Sequence, residues 1–496
     1  MGIIFKQSFK NTLIIYLGFI VGGINTIFLY PRILESDYYG LTSYLLAYSN
    51  LIMPLTAFGI QYTIVKFFSS YINKEEKDRF LTASVFLPLL IALPIGLLWS
   101  NIHTFIVNSL NKENAIVEDY TIVIYIVAVC CAYFEVFYSW AKVQLHTVFG
   151  NILKEFWNRA MVMMLLGAVF MNWITKPEFI CILTATYILR TLLMMGYAFY
   201  LYLPKFSFKL PKNFKEIIKY SGYIILAGSA SAIILDIDKV MIPDKETFEK
   251  AAYYTVAVFI GSFIEAPGRA MAQILQPLTS QSLNENNSVE VENLYKKSSI
   301  NLLLIGGLFF LLVNCNISEL FRIMPEKGYA GGELVVLMIS SMKLYTMFLG
   351  NNTSIIGNSQ FYRITLPIGV GMALSVYLLN RLFYFNLEMS TDGLALSTLV
   401  TIFIFNTYKI WFVKKKFGMT PFTDKSWQMI AVIIVLFVGF YFWNFSLPKF
   451  SFNGFPLHPL LNIILKSVII VLVYLFLVFK LKISFQVNML LKKIIK

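Results

Sequence analysis

The sequence predicts an all-α polytopic membrane protein of about fourteen transmembrane helices, two six-helix halves followed by a final pair, and three observations carry that expectation. Hydrophobic residues make up 58% of the 496 positions and charged residues only 14%, outside the range of an ordinary soluble domain. Apolar stretches of about 20 residues, each enough to cross roughly 30 Å of hydrocarbon at about 1.5 Å per residue, recur along the whole chain. Lysine and arginine fall in alternate links, so the net charge of +14 marks one side of a membrane rather than a nucleic-acid surface.

In chain order the predicted spans are 11–30, 41–64, 80–100, 120–141, 155–174, 179–203, 219–238, 251–276, 299–318, 333–356, 363–385, 393–413, 427–446 and 459–480. The first is too long for a signal-peptide core and has no small-residue cleavage site, so it is expected to stay as a span. After Met1-Gly2, Lys6 stands where a myristoylation signal needs Ser or Thr, so no lipid anchor is expected. Gly18-x-x-x-Gly22 predicts a close helix-packing face. The outer turn that follows reads Tyr30-Pro31-Arg32 and Asp37-Tyr38-Tyr39-Gly40, and the second span carries Pro54. The inner links hold Lys66, Lys74, Lys77 and Arg79, then Lys142, Lys154 and Arg159, then Lys205, Lys209, Lys212, Lys215 and Lys219, and later Lys409 with Lys414, Lys415 and Lys416. That pattern places both termini inside.

Ionisable residues within spans are rare, and each is a candidate for a polar cavity. Glu135 lies in the fourth span, and Arg190 near the centre of the sixth and Lys343 near the centre of the tenth each fit either a polar-cavity wall or a structural hydrogen bond between helices. Lys466 in the fourteenth sits close enough to an end to snorkel to the interface, and the last two spans otherwise hold almost no polarity. The densest candidate is the stretch 220–277, read as two apolar helices joined by a polar link through Asp236, Asp238 and Lys239 and then 244–250. Its second helix carries Glu265-Ala-Pro-Gly-Arg269, which puts a carboxylate and a guanidinium four residues apart on one face. Pro267 and Gly268 mark a hinge, because proline removes a backbone donor and frees the carbonyl near Phe263. Asp236 and Asp238 fit an interfacial cap or ion pair with Lys239, or the mouth of a cavity. This stretch and the first hairpin share a plan of small residues, a charged turn, a Tyr-Tyr pair and an internal proline, six spans apart, as in a parallel repeat. The domains expected are 1–203, 204–418 and 419–496.

Several chemistries are disfavoured. No Walker A motif is present, so ATP hydrolysis is not expected to drive the protein. Ser340-Ser-Met-Lys343 matches an acyl-serine pattern without its companion motifs. Asp236-Ile-Asp238 and Glu35-Ser-Asp37 resemble the acidic pairs of glycosyltransferases, but the short outer loops leave no room for an acceptor site, so an enzyme is not expected. His103, His146 and His458 lie in separate links, and Cys130, Cys131, Cys181 and Cys315 read as apolar packing residues, so neither a metal nor a cofactor is expected.

Taken together, Tyr30-Pro31-Arg32, Tyr39-Gly40-Leu41, Asp238-Lys239-Val240-Met241 before Tyr253-Tyr254, Pro277, Gly357-Asn358, Leu379-Asn380, Gly393-Leu394-Ala395 and Lys414-Lys415-Lys416-Phe417-Gly418 resemble the Wzx or polysaccharide-transporter family of oligosaccharide flippases. The resemblance spans nearly the whole chain and rests on the order and spacing of the motifs. It implies the multidrug/oligosaccharidyl-lipid/polysaccharide (MOP) exporter fold and a location in the bacterial inner membrane. It also implies a cargo of undecaprenyl-diphosphate-type lipid-linked oligosaccharide, flipped by alternating access, with polysaccharide polymerase and assembly partners. On that reading Arg269, Arg190, Lys343 and Arg32 form a cationic cavity for the cargo. Glu265, Asp236, Asp238 and Glu135 are the carboxylates for a coupling proton or sodium ion, with Glu265 either competing with cargo for Arg269 or forming with it a structural ion pair that holds the kink. A lipid II flippase and a MATE-type cation or drug antiporter are the alternatives, and a membrane glycosyltransferase or polysaccharide polymerase stands behind them.

Overall fold

The computed structural model describes residues 2–207, 209–324, 327–445, 448, 451–452 and 455–483. All fourteen predicted spans fall on helical segments. Among the described residues, nine helices are long and apolar enough to cross a membrane, and two further spans are pairs bent at a short break, Glu35–Thr56 with Ile60–Phe67 (45°) and 328–348 with Asn352–Asn358 (56°). The remaining three lie on Asn158–Phe170 with the π-turn before it, on Phe214–Lys245, and on Phe248–Ser262 continued by Ala266–Asn284. The only β-structure among the described residues is a two-residue antiparallel pairing of Ser451–Phe452 with Phe455–Pro456. Lys449 and the C-terminal lysines Lys492, Lys493 and Lys496 lie outside the described residues.

The chain packs as two compact units, one of 1–255 with 369–378 and one of 256–368 with 379–496. The first unit extends past residue 203, the expected end of the first domain, because the Phe214–Lys245 helix is tied along the first bent pair. Ser221 and Thr63 share a hydroxyl hydrogen bond at 2.9 Å, Gly228 sits against Pro54, and Asn50 donates to Asp236 at 3.2 Å. Its core is aromatic and aliphatic, with Phe80, Phe134, Phe137 and Trp140 around Ile64, Met194 and Ile217.

The expected polar link through Asp236 is helix. Phe214–Lys245 runs on through Pro243, and only Glu246 and Thr247 separate it from the next helix. The turn carbonyls at its end have side-chain donors: Asn114 donates to Pro243 at 2.9 Å and to Glu246 at 2.8 Å, and Asn111 donates to Lys245 at 3.1 Å. With these orphan carbonyls answered, the chain needs no longer loop. Gly18 meets the packing expectation, since a Cβ there would run into the Glu155 carbonyl.

In the second unit the core gathers Leu303, Leu311, Met429, Ile433, Ile470 and Tyr474. The Tyr474 hydroxyl donates to the Leu304 carbonyl at 2.5 Å. Lys466 departs from expectation. Instead of snorkelling it is fully buried, 0% exposed, and donates to the Cys315 carbonyl and to Asn444 Oδ1 (3.1 Å). Neighbouring Ser467 accepts from Asn316 at 3.1 Å, and Asn462 is buried too, so the last helix carries a polar face after all. Two acceptors at hand remove the need for the ammonium to reach water.

Candidate functional site

Glu265, Arg269 and Lys343 are brought together in the second unit, and the backbone explains how. The Phe248–Ser262 helix ends in a single 3₁₀ turn, Phe263–Glu265, and a new helix starts at Ala266. Pro267 occupies the first turn of that new helix, where the missing N–H would have had no intrahelical partner. The Phe263 carbonyl accepts from the Ala266 N–H, so the freed acceptor is satisfied by 3₁₀ geometry rather than by cavity water. The predicted kink is therefore a helix restart.

At this restart the Glu265 carboxylate meets two cations. Lys343, from the Glu333–Phe348 helix, donates to Oε2, and Arg269 lies 3.7 Å from the same oxygen. Glu265 and Arg269 border a cavity of about 490 Å³ whose wall also includes Gln276, Ser354, Asn358, Asn406 and Lys409. The far side is held by the 56° break. Gly350 takes a left-handed φ of +54°, and Ser298 Oγ accepts from the Asn351 N–H at 3.1 Å. Ser299 donates to the Phe348 carbonyl at 2.6 Å, and Asn351 donates to Thr279. Backbone groups released by the bend are thus answered by neighbouring hydroxyls and amides.

Lys409 is the cavity residue that sequence reasoning missed. It was counted with the basic link at 414–416, yet it lies inside the twelfth predicted span, and that position was the available signal. Among the described residues that line this cavity, two cationic side chains (Arg269 and Lys409) stand against one carboxylate, Glu265, which also pairs with Lys343.

The first-unit candidates are arranged differently. Arg190 is 5% exposed, with its guanidinium 4.3 Å from the Phe134 ring centroid and 4.9 Å from that of Tyr187, and it donates to Cys131 Sγ at 3.3 Å. Stacking on two aromatic faces suits a weakly hydrated guanidinium. Glu135 pairs with Lys154 at 2.5 Å. Asp236 takes hydrogen bonds from Asn50 and from Lys239 at 3.0 Å, which realises the ion pair expected at that position. Asp238, also buried, accepts from the Tyr254 hydroxyl at 2.5 Å. Arg32 is exposed on the short helix Tyr30–Ile33.

The fold is one shared with solved structures of the MOP superfamily. Solved structures of similar fold include the lipid II flippase MurJ in an inward closed conformation, 16% identical over 96% of this chain and 99% of that one, with a TM-score of 0.69. A multidrug resistance MATE transporter of the MOP superfamily, inward-facing, is 12% identical over 82% and 94% of the two chains, with a TM-score of 0.61. A MOP superfamily transporter from Pyrococcus furiosus, whose binding pocket is described as reversed in polarity, is 14% identical over 84% and 95%, with a TM-score of 0.58. No curated protein matches the sequence. The family profile described as polysaccharide biosynthesis protein matches residues 6–282, more than half of the chain, and the protein belongs to that family.

Proposed function

We propose that the protein is a flippase that carries a polyprenyl-diphosphate-linked oligosaccharide, such as an O-antigen, capsule or exopolysaccharide repeat unit, from the inner to the outer leaflet by alternating access. The observation that carries this reading is the charge of the second-unit cavity, lined by two cations, Arg269 and Lys409, against the single carboxylate of Glu265, which Lys343 also pairs from behind the wall. A diphosphate does not cross hydrocarbon bare, because an unpaired charge there loses far more solvation than binding recovers. Cationic side chains in a polar cavity supply that compensation, and arginine adds bidentate phosphate contacts. Membership of a polysaccharide biosynthesis family supports a sugar cargo. The cavity's sign argues against an organic-cation antiporter, for which carboxylates should dominate.

On this reading the protein is a multi-pass protein of the bacterial cytoplasmic membrane with both termini inside, as the alternating lysine-rich links suggest. Glu265 sits on the same two cations that the cargo would use, so its protonation releases them and offers a route for coupling to a proton gradient. The test is leaflet accessibility of the lipid-linked oligosaccharide, labelled by a membrane-impermeant sugar reagent. Cells lacking the protein should accumulate unlabelled precursor, restored cells should label it, and Arg269→Ala should fail to restore at normal membrane levels. Equal labelling in all three discards the oligosaccharide cargo. A Glu265→Gln variant that transports with unchanged pH dependence discards the coupling role.

A further inference from the structure

We infer that one face of the Ser390–Phe417 helix is a two-step cation ladder, Lys416 then Lys409, that draws an anionic head group into the second-unit cavity and holds its charge there. The inference rests on the reading of that cavity as an anion site and assigns the residue that makes first contact. Arg269 and Lys343 already share the Glu265 carboxylate, so both cations are partly neutralised before any cargo arrives. Lys409 lines the same cavity, and among the described residues no carboxylate lies within ion-pair distance of it. Lys409 is therefore the cation in that wall whose charge no carboxylate already shares.

The surroundings of Lys409 suit a phosphate bearing sugars. Its helix turn is pinned, because Asn352 donates to the Lys409 carbonyl at 3.4 Å and Asn406 donates to Thr346 at 3.1 Å. Gln276, Ser354 and Asn358 supply neutral donors and acceptors in the same wall, a composition that recognises hydroxyls rather than a second charge. Lys416 lies seven residues on, so it returns to the same helix face about 10 Å along the axis. It sits in the last turn, over the Phe361 ring at 5.2 Å, before the Gly418 cap. Cations there also complement the helix C-terminus. A head group collected at Lys416 therefore has its next positive charge one short step further in.

The probes are farnesyl diphosphate, a short polyprenyl diphosphate, and uncharged farnesol, each titrated into the full-length protein in detergent micelles by calorimetry, with association followed by stopped-flow fluorescence. Wild type should bind the diphosphate well above farnesol. Lys409→Gln should weaken the diphosphate by about tenfold or more while leaving farnesol unmoved, and Lys409→Arg should recover most of the loss. Lys416→Gln should slow diphosphate association at low salt by about threefold, an effect that salt erases. If Lys409→Gln melts as wild type does and binds the diphosphate equally well while Arg269→Gln weakens it, the ladder is wrong and the anion cavity stands. An unchanged association rate for Lys416→Gln also overturns the ladder. If wild type does not distinguish farnesyl diphosphate from farnesol, the anion cavity itself fails and Lys409 falls with it.

Discussion

In the first unit, Arg190 lies between the Phe134 and Tyr187 rings and Asp236 accepts from Asn50 and Lys239, whereas in the second, Glu265, Arg269 and Lys409 border about 490 Å³ of open space. The residue types are the same and both sets lie in apolar helices. What differs is whether each charge has its partners fixed inside the protein. A buried charge answered inside the protein, as Asp236 is by Asn50 and Lys239, holds helices in register, while Arg190 keeps its Nε without a hydrogen-bond partner and relies on its ring contacts. A cavity with surplus cations has unmet electrostatic demand, and a ligand can meet it.

That contrast is broken or sharpened most strongly by stability. Asp236→Ala leaves the Lys239 ammonium and the Asn50 amide without their shared acceptor in a nearly closed setting, and about 2–3 kcal/mol of stability should be lost. The micelle melting temperature should fall by several degrees. Arg269→Gln removes an ion-pair partner that is itself nearly half exposed, so melting should stay close to wild type. If the two variants change places, with Arg269→Gln unstable and Asp236→Ala intact but unable to transport, the assignment of structural charge to the first unit and working charge to the second is wrong.

A smaller effect probes the second unit alone. Glu265→Gln removes the carboxylate that Lys343 and Arg269 share, so both cations become available to an anion. Farnesyl diphosphate should bind about threefold tighter, the size expected for one unit charge removed about 6 Å away across nearly bulk water. Weaker binding in a variant that still melts normally would mean that Glu265 orients the cations for cargo instead of competing with it.

Much of this was legible in the sequence, for physical reasons. Hydropathy reports on the solvent a helix faces, so each predicted span coincides with helical structure among the described residues, nine on helices long and apolar enough to cross a membrane and two more on bent pairs, and the spacing of Glu265 and Arg269 fixed their common face because four residues make about one turn. Partners from other helices were not legible. Arg190 and Lys343 look alike in a sequence, each a cation at mid-span, yet one meets two rings and a thiol and the other a carboxylate 78 positions away. Lys466 misled for the same reason, since distance from a span end says nothing about whether Asn444 and the Cys315 carbonyl stand within reach. Lys409 was hidden by proximity to the basic run 414–416, although its cavity is built by Asn406 and the 350–351 break. The polar link at Asp236 dissolved into helix because Asn111 and Asn114 lie far away in sequence from the carbonyls they answer.

A last pair of variants compares Gly59 at the first-unit break with Gly268 at the second-unit restart. Gly59, after the first-unit bend, holds a left-handed φ of +65°, and a Cβ there would stand 2.8 Å from the Ser221 carbonyl. Gly59→Ala should therefore cost about 1–2 kcal/mol from backbone conformation alone, with the close approach adding to it. Gly268 lies in ordinary helix, and a Cβ there would meet Met347 Cγ at 3.5 Å, normal contact. Gly268→Ala should leave melting unchanged or raise stability by up to about 1 kcal/mol, because alanine loses less backbone freedom on folding. A transport assay then separates a shape from a hinge. If the restart at 263–268 flexes during alternating access, the stabilised Gly268→Ala variant flips its cargo more slowly at equal membrane abundance. If its rate equals that of wild type, Pro267 and Gly268 only shape the cavity wall, and the moving element has to be sought elsewhere.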